Sequence, residues 1–163
     1  NVVGSRGSVI PVFKNLIRQG HTSLPITDEE MTRFVITLDK GVELVVETLI
    51  NMYGGEIVIP KLPSIKIVDV IPLLGENIKY NIIGIRPGEK LHEVMIPEEE
   101  MRNTLDMKNH YIILPSHHWW NFSEFKNSLK NNGKPVIGLK EYSSGNNSEW
   151  LSKDQLRRLV ENV

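Results

Sequence analysis

Apolar residues along this chain recur in two rhythms. Ile10, Phe13, Leu16 and Ile17 follow helical spacing behind Ser8, a good N-cap residue, and Gly20 stands where such a helix would stop. Pro11 falls in the first turn, where its missing N–H costs little. Val42, Val45, Val46, Leu49, Ile50 and Tyr53 repeat the spacing behind Asp39, ended by Gly54 and Gly55. A third helix is expected after Ser64, with Ile65, Val68, Ile71 and Leu74 inward. Near the end, Ser152 and Gln155 form a capping box. Leu151 is set to staple against Leu156, with Leu159 and Val160 behind it.

Between these helices lie short β-prone runs. Met31 to Thr37, Glu56 to Ile59, Tyr80 to Ile85 and Tyr111 to Pro115 are rich in β-branched and apolar residues. The run at Tyr80 reads as buried. His21 to Glu30, containing Leu24-Pro25-Ile26-Thr27, reads as a loop. Glu98 to Leu105 reads as a short charged helix, and Asn121 to Gly138 as loops with one weak helix. Helix alternating with strand argues an α/β fold.

The 163 residues are enough for one domain with a sizeable core. A net charge of −1 gives no basic surface for nucleic acid or membrane. The absence of cysteine excludes disulfides, thiol catalysis and cysteine metal sites, and fits a cytosolic protein. No apolar run approaches the roughly 18 residues of a membrane span. The chain opens on Asn1-Val2-Val3-Gly4 without an initiator methionine, which reads as a strand entered midway, so a fragment is expected. It carries no G-x-G-x-x-G, no P-loop, and no lysine four residues after any of Tyr53, Tyr80, Tyr111 or Tyr142.

The candidate chemistry centres on Arg86-Pro87-Gly88-Glu89-Lys90-Leu91-His92-Glu93. Pro87 and Gly88 form a corner between the preceding strand and an expected helix carrying Leu91, Val94 and Met95 on one face. An arginine at such a corner suits phosphate oxygens, helped by the field of a helix start. Glu89 cannot serve a phosphate. A carboxylate beside one suits a sugar diol, so the pair suggests a nucleotide ribose-phosphate. The plain alternative is an exposed turn with two solvated charges.

Arg33, in an apolar run, needs a partner. Asp28, Glu29 and a ligand anion are all open to it, and two arginines would suit a diphosphate. Asn1 could reach a sugar hydroxyl. His117 and His118 point to opposite faces of any strand and make a poor chelating pair, so no metal site is expected. Trp119 and Trp120 suit a packing cluster or a subunit contact better than base stacking. The acidic runs Asp28-Glu29-Glu30 and Glu98-Glu99-Glu100 read as solvated faces, and His92 as a surface helix histidine.

Five segments occur in a telling order: Asn1 to Pro11, Pro25-Ile26-Thr27, Met31 to Phe34, Gly54 to Ile57, and Arg86 to Glu93. Together they closely resemble the C-terminal half of the inverting UDP-N-acetylglucosamine 4,6-dehydratases, extended short-chain dehydrogenase/reductases of polysaccharide and pseudaminic-acid synthesis. Glu141 to Ser144 and Asn147 to Leu151 resemble that family's tail, whereas residues 109 to 140 add nothing to the match.

The resemblance implies a two-part protein. Its N-terminal half would be a Rossmann sheet binding NADP and carrying the catalytic Tyr, Lys and Asp. Residues 1–163 would be the C-terminal substrate-binding portion, with strands that complete the missing sheet. The reaction oxidises C4 of the sugar, eliminates water across C5 and C6, and returns hydride to C6 with inversion at C5. By position, Asn1 would touch sugar and diphosphate, and Val9, Pro11 and Val12 would lie along the nucleotide. Pro25, Ile26 and Thr27 would line uracil, Arg33 and Arg86 would clamp the diphosphate, and Glu89 would hold the ribose. The family also implies a cytoplasmic homo-oligomer. The piece would be inactive alone, with an uncovered apolar face around Val2, Val3 and Ile57 to Ile59. A UDP-sugar 4-epimerase or a 5-epimerising relative, or a non-catalytic nucleotide-binding module, is the alternative.

Overall fold

The computed structural model describes residues 1–116, 124, 125, 127 and 133–163. The chain runs α1 (Val9–Arg18), β1 (Ser23–Ile26), β2 (Thr32–Phe34), α2 (Leu38–Asn51), β3 (Ile57–Pro60) and β4 (Ser64–Lys66). A 3-10 helix (Ile67–Leu73) and β5 (Lys79–Ile82) follow. Then come β6 (Val94–Ile96), α3 (Glu98–Met101), β7 (Thr104–Asp106), β8 (His110–Ile113), β9 (Lys134–Pro135), β10 (Tyr142–Ser143) and α4 (Lys153–Glu161). The mixed α/β class is as the pattern predicts. His117 to Trp120, and most of the expected weak helix, lie outside the described residues.

The chain divides into two compact units. The first comprises Asn1–Gly41, Leu62–Glu93 and Ser144–Val163. Its core gathers Ile10 and Phe13 from α1, Leu24 and Ile26 from β1, Val70 and Ile71 from the 3-10 helix, and Leu156 and Val160 from α4. Leu24, Ile26 and Val70 are at most 1% exposed, so they bear the full apolar transfer term. Two small sheets frame this core: β1 runs parallel to β5, and β2 antiparallel to β4. Gly20, at φ +90°, ends α1 in a Schellman motif, with Gly20 N–H on Ile17 O and His21 N–H on Leu16 O. The capping box on α4 forms in full, and Leu151 packs on the same core as Leu156.

Several expectations fail here. Leu24 to Ile26 is strand, not loop; parallel pairing with β5 overrides the turn-like composition around Pro25. β5 is not buried: Ile82 is 52% exposed, and Ile83 and Ile85 are also open. Ser64 starts a strand rather than a helix. Its amide donates to Glu149 O, and its carbonyl accepts from Leu151 N–H. The segment beyond it is 3-10 with Pro72 inside, a residue that cannot donate to an α-helical ladder. Leu91 and His92 form a bend and Val94–Ile96 a strand, so no helix follows Gly88. The 91/94/95 spacing fits one helical face but also a bend followed by a strand. Ser8 occupies the N-cap of α1 without its side chain capping.

The second unit comprises Val42–Lys61 and Val94–Ser143. Its main sheet has the order β3-β8-β7-β9, all antiparallel, and β10 pairs with β6. β3 is an edge strand, and Ile57 on it is exposed. Lys61 bonds Asp106 and the Met107 carbonyl beneath the Tyr111 ring. Glu98 to Leu105 is helical only through Met101, because Thr104 and Leu105 pair with β8.

The helix predicted over Val42 to Ile50 exists, but its apolar face does not point inward. Val45, Leu49 and Ile50 are 66%, 71% and 75% exposed, and no residue of α2 is buried. Within the second unit, Leu44, Glu47, Thr48 and Asn51 line a cavity with Val58, His110, Ile112 and Phe125. The mixed polar side of α2, with Leu44, faces the sheet, and Val42, Val45, Val46, Leu49 and Ile50 face out. Thr37 rather than Asp39 caps this helix, its hydroxyl taking the Lys40 amide at 3.3 Å. Val2 is exposed on the first unit, as expected, while Val3, Val58 and Ile59 are half-buried.

Candidate nucleotide site

A cavity of about 340 Å³ opens on the first unit. Its size falls in the range of small-molecule clefts. Asn1, Val9, Val12, Ile26, Thr27, Arg33, Arg86 and Glu89 all line it; Pro11, which was expected there, does not. Pro11 stands in the first turn of α1 beside lining residues, one step around the helix. Ile10, Phe13, Met31, Val35, Ile65 and Ile67 form much of the apolar wall, and nothing in their periodicity distinguishes them from ordinary core.

The start of α1 forms one rim. The first amides of a helix have no intrahelical acceptor and carry a partial positive charge. Ser8 adds a hydroxyl that is buried and has no partner among the described residues. A buried orphan of this kind is a natural contact for a bound polar group.

Thr27, at the end of β1, is 8% exposed and donates its hydroxyl to Glu89 Oε1 at 3.2 Å. The other carboxylate oxygen of Glu89 takes the Arg86 amide at 3.3 Å, and the Glu89 amide closes the turn onto Arg86 O at 3.0 Å. Gly88, at φ +81°, occupies the left-handed position that this turn demands. Glu89 is thereby fixed at the cavity edge by a turn and a threonine, and the Arg86 side chain takes no protein acceptor among the described residues. The expectation of a helix start behind Arg86 is not met, so its contribution to anion binding is the guanidinium alone.

Arg33 pairs with neither Asp28 nor Glu29. Its Nε lies 3.4 Å from Glu93, and its Nη1 donates to Thr32 O at 2.7 Å and Leu91 O at 3.1 Å. The side chain is 14% exposed. Both of its hydrogen bonds leave from Nη1, Nε meets Glu93 as an ion pair, and Nη2 bonds no described protein group. Asp28 instead takes the Glu30 amide, Glu30 pairs with Lys66, and Glu29 accepts from Tyr80. Asn1 bonds Phe34 O through both its backbone nitrogen and its side-chain Nδ2. No cluster of potential metal ligands occurs among the described residues.

The sequence profile of the family described as "Polysaccharide biosynthesis protein" matches residues 1–115. The chain belongs to that family. Within this polysaccharide biosynthesis family, it is 48% identical over 162 residues to a Campylobacter jejuni protein named UDP-N-acetylglucosamine 4,6-dehydratase (inverting). The match covers 98% of this chain and 48% of that protein. A Rickettsia massiliae UDP-glucose 4-epimerase is 32% identical over 165 residues, 98% of this chain and 47% of its own length. Among solved structures, Pen from Bacillus thuringiensis superposes with a TM-score of 0.79 at 32% identity, over 99% of this chain and 48% of that one. The chain thus spans about half the length of the curated relatives it matches.

Proposed function

We propose that the cavity binds the nucleoside diphosphate of a UDP-sugar, as the C-terminal substrate-binding portion of an inverting UDP-N-acetylglucosamine 4,6-dehydratase. The observation that carries this is the meeting of Arg33, Arg86 and Glu89 in one cleft at the start of α1. Two guanidinium groups match the charge of a diphosphate, and a carboxylate held by Thr27 matches a ribose diol. Val9, Val12 and Ile26 offer apolar surface to the flat base, and Asn1 and Ser8 offer polar contacts to the sugar.

In this reading the chain binds and orients, and the hydride chemistry belongs to a second portion of similar length, which carries NADP and the acid–base residues. That portion packs on the outward apolar face of α2, Val42, Val45, Val46, Leu49 and Ile50, and beside the open edge of β3. A helix exposing that much aliphatic surface is costly in water. The intact protein makes a 4-keto-6-deoxy sugar nucleotide for surface polysaccharide or pseudaminic acid, as a cytoplasmic homo-oligomer, and residues 1–163 alone are inactive. Among the described residues, no helix is long and apolar enough to cross a membrane.

The epimerase relatives support a second reading, the same cleft serving a UDP-sugar 4-epimerase. One assay separates the two. The full-length protein with UDP-N-acetylglucosamine yields a product lighter by one water if it is a dehydratase and an isomer of equal mass if it is an epimerase. Absence of UDP binding by residues 1–163 would overturn both.

A further inference from the structure

Beside the cavity lies a buried polar chain. Thr32 Oγ1 is 2.8 Å from His92 Nδ1 and 2.7 Å from Ser144 Oγ, and Ser144 Oγ accepts the Glu93 amide at 2.9 Å. Thr32 is 1% exposed and Ser144 fully buried. Two hydroxyl protons serve two hydrogen bonds, and a proton count assigns their direction. With Nδ1 accepting, Ser144 donates to Thr32, Thr32 donates to His92, and every proton is used. With Nδ1 donating, Thr32 donates to Ser144, and the buried Ser144 proton finds no acceptor among the described residues. A stranded buried donor is costly, so the first wiring holds.

This chain pins the segment that holds Arg33. The Thr32 amide and Arg33 Nη1 both donate to Leu91 O, and Glu93 faces Arg33 Nε. The Ser144 amide donates to Glu93 O at 2.8 Å, so Ser144 grips Glu93 by both its amide and its carbonyl. The imidazole sits so close to Gly145 that an added Cβ would come within 2.6 Å of its ring. Gly145 has no left-handed φ, so its smallness serves the histidine and not the backbone.

We propose that His92 is a positioning residue for Arg33. Acting through Thr32 and Ser144, it fixes the 91–93 segment so that the Nη1 N–H groups are held by two carbonyls, Nε faces Glu93, and the Nη2 pair is presented to the diphosphate. The inference rests on the nucleotide reading of the cavity. Thr32, 1% exposed, and Ser144, fully buried, are closed to a substrate, so their contact with His92 positions rather than activates a nucleophile.

The test uses residues 1–163 with UDP as probe and two readouts: UDP affinity by calorimetry, and the Arg33 Nε–H signal of the ligand-free chain by proton–nitrogen NMR. His92→Asn keeps an acceptor where Nδ1 stands, His92→Leu removes it, and Gly145→Ala displaces the ring with every other side chain unchanged. His92→Leu and Gly145→Ala are expected to shift or broaden the Arg33 signal and weaken UDP about tenfold, with His92→Asn close to wild type. Should His92→Leu fail to fold by circular dichroism, Gly145→Ala carries the comparison. Wild-type UDP binding with all variants within about twofold, and an unmoved Arg33 signal, overturns the inference alone. A wild-type chain that takes up no UDP overturns the nucleotide reading, and the inference falls with it.

Discussion

The Thr27 hydroxyl donates to the Glu89 carboxylate at 3.2 Å, joining the end of β1 to a turn 62 positions later. It orients the carboxylate at the cavity rim without neutralising it. Glu89→Gln keeps the shape and removes the charge that a diol prefers. It should weaken UDP by about 1.5 to 3 kcal/mol, the range for hydrogen bonds to charged groups, and leave inorganic pyrophosphate unchanged. Competition titrations with both ligands check this; equal loss for the two would refute the ribose assignment.

Arg86 is exposed and takes no acceptor among the described residues, so it contributes little to folding. Arg86→Ala should leave the melting temperature of the free chain nearly unchanged, as surface substitutions do, within about 0.5 kcal/mol. The same variant should lose about 1.5 to 3 kcal/mol of UDP binding, seen as a smaller ligand-induced melting shift. An unchanged shift removes Arg86 from the site.

The outward face of α2 makes a prediction of opposite sign. Val45→Lys with Leu49→Lys replaces two exposed side chains and should leave residues 1–163 at least as stable and more soluble. In the full-length protein, the same pair should destabilise strongly, because it would bury two charges against the second portion. Thermal melts of both lengths check this. Equal tolerance in the full-length protein would contradict the proposed covering of that face.

His110, in the second unit, has its pKa lowered by burial, with Glu47 opposing and Lys61 adding to the shift. A folded value below the unfolded one means the unfolded chain binds the extra proton between the two. Stability is therefore complete above the unfolded imidazole value, about 6.5, and falls as the pH drops from there toward the folded value. Unfolding of wild type and His110→Gln from about pH 7 to about pH 5 should show a steeper acid loss in wild type. Parallel curves would assign the loss elsewhere.

The residues most legible in the sequence are those whose type alone dictates their use. Arg86, Glu89 and the Ser152–Gln155 box are short-range arrangements: Arg86 and Glu89 line one cavity, and the capping box forms on its own helix. The partner of Arg33 was not legible, because Glu93 reaches it only through a bend that the 91/94/95 spacing disguises as a helix. β1 was hidden because its pairing with β5 is long-range and parallel. On α2 the periodicity correctly gave an apolar face, but periodicity cannot say whether the surface covering it lies within these residues.

The most direct measurement is residue-resolved NMR of residues 1–163 during a UDP titration. The account predicts shifts concentrated at Ser8 to Val12, Ile26, Thr27, Arg33 and Arg86 to Glu89, with the β3, β7 and β8 amides unmoved. Saturating UDP that leaves Arg33 and Arg86 unshifted, or shifts that centre on the second unit, would contradict it.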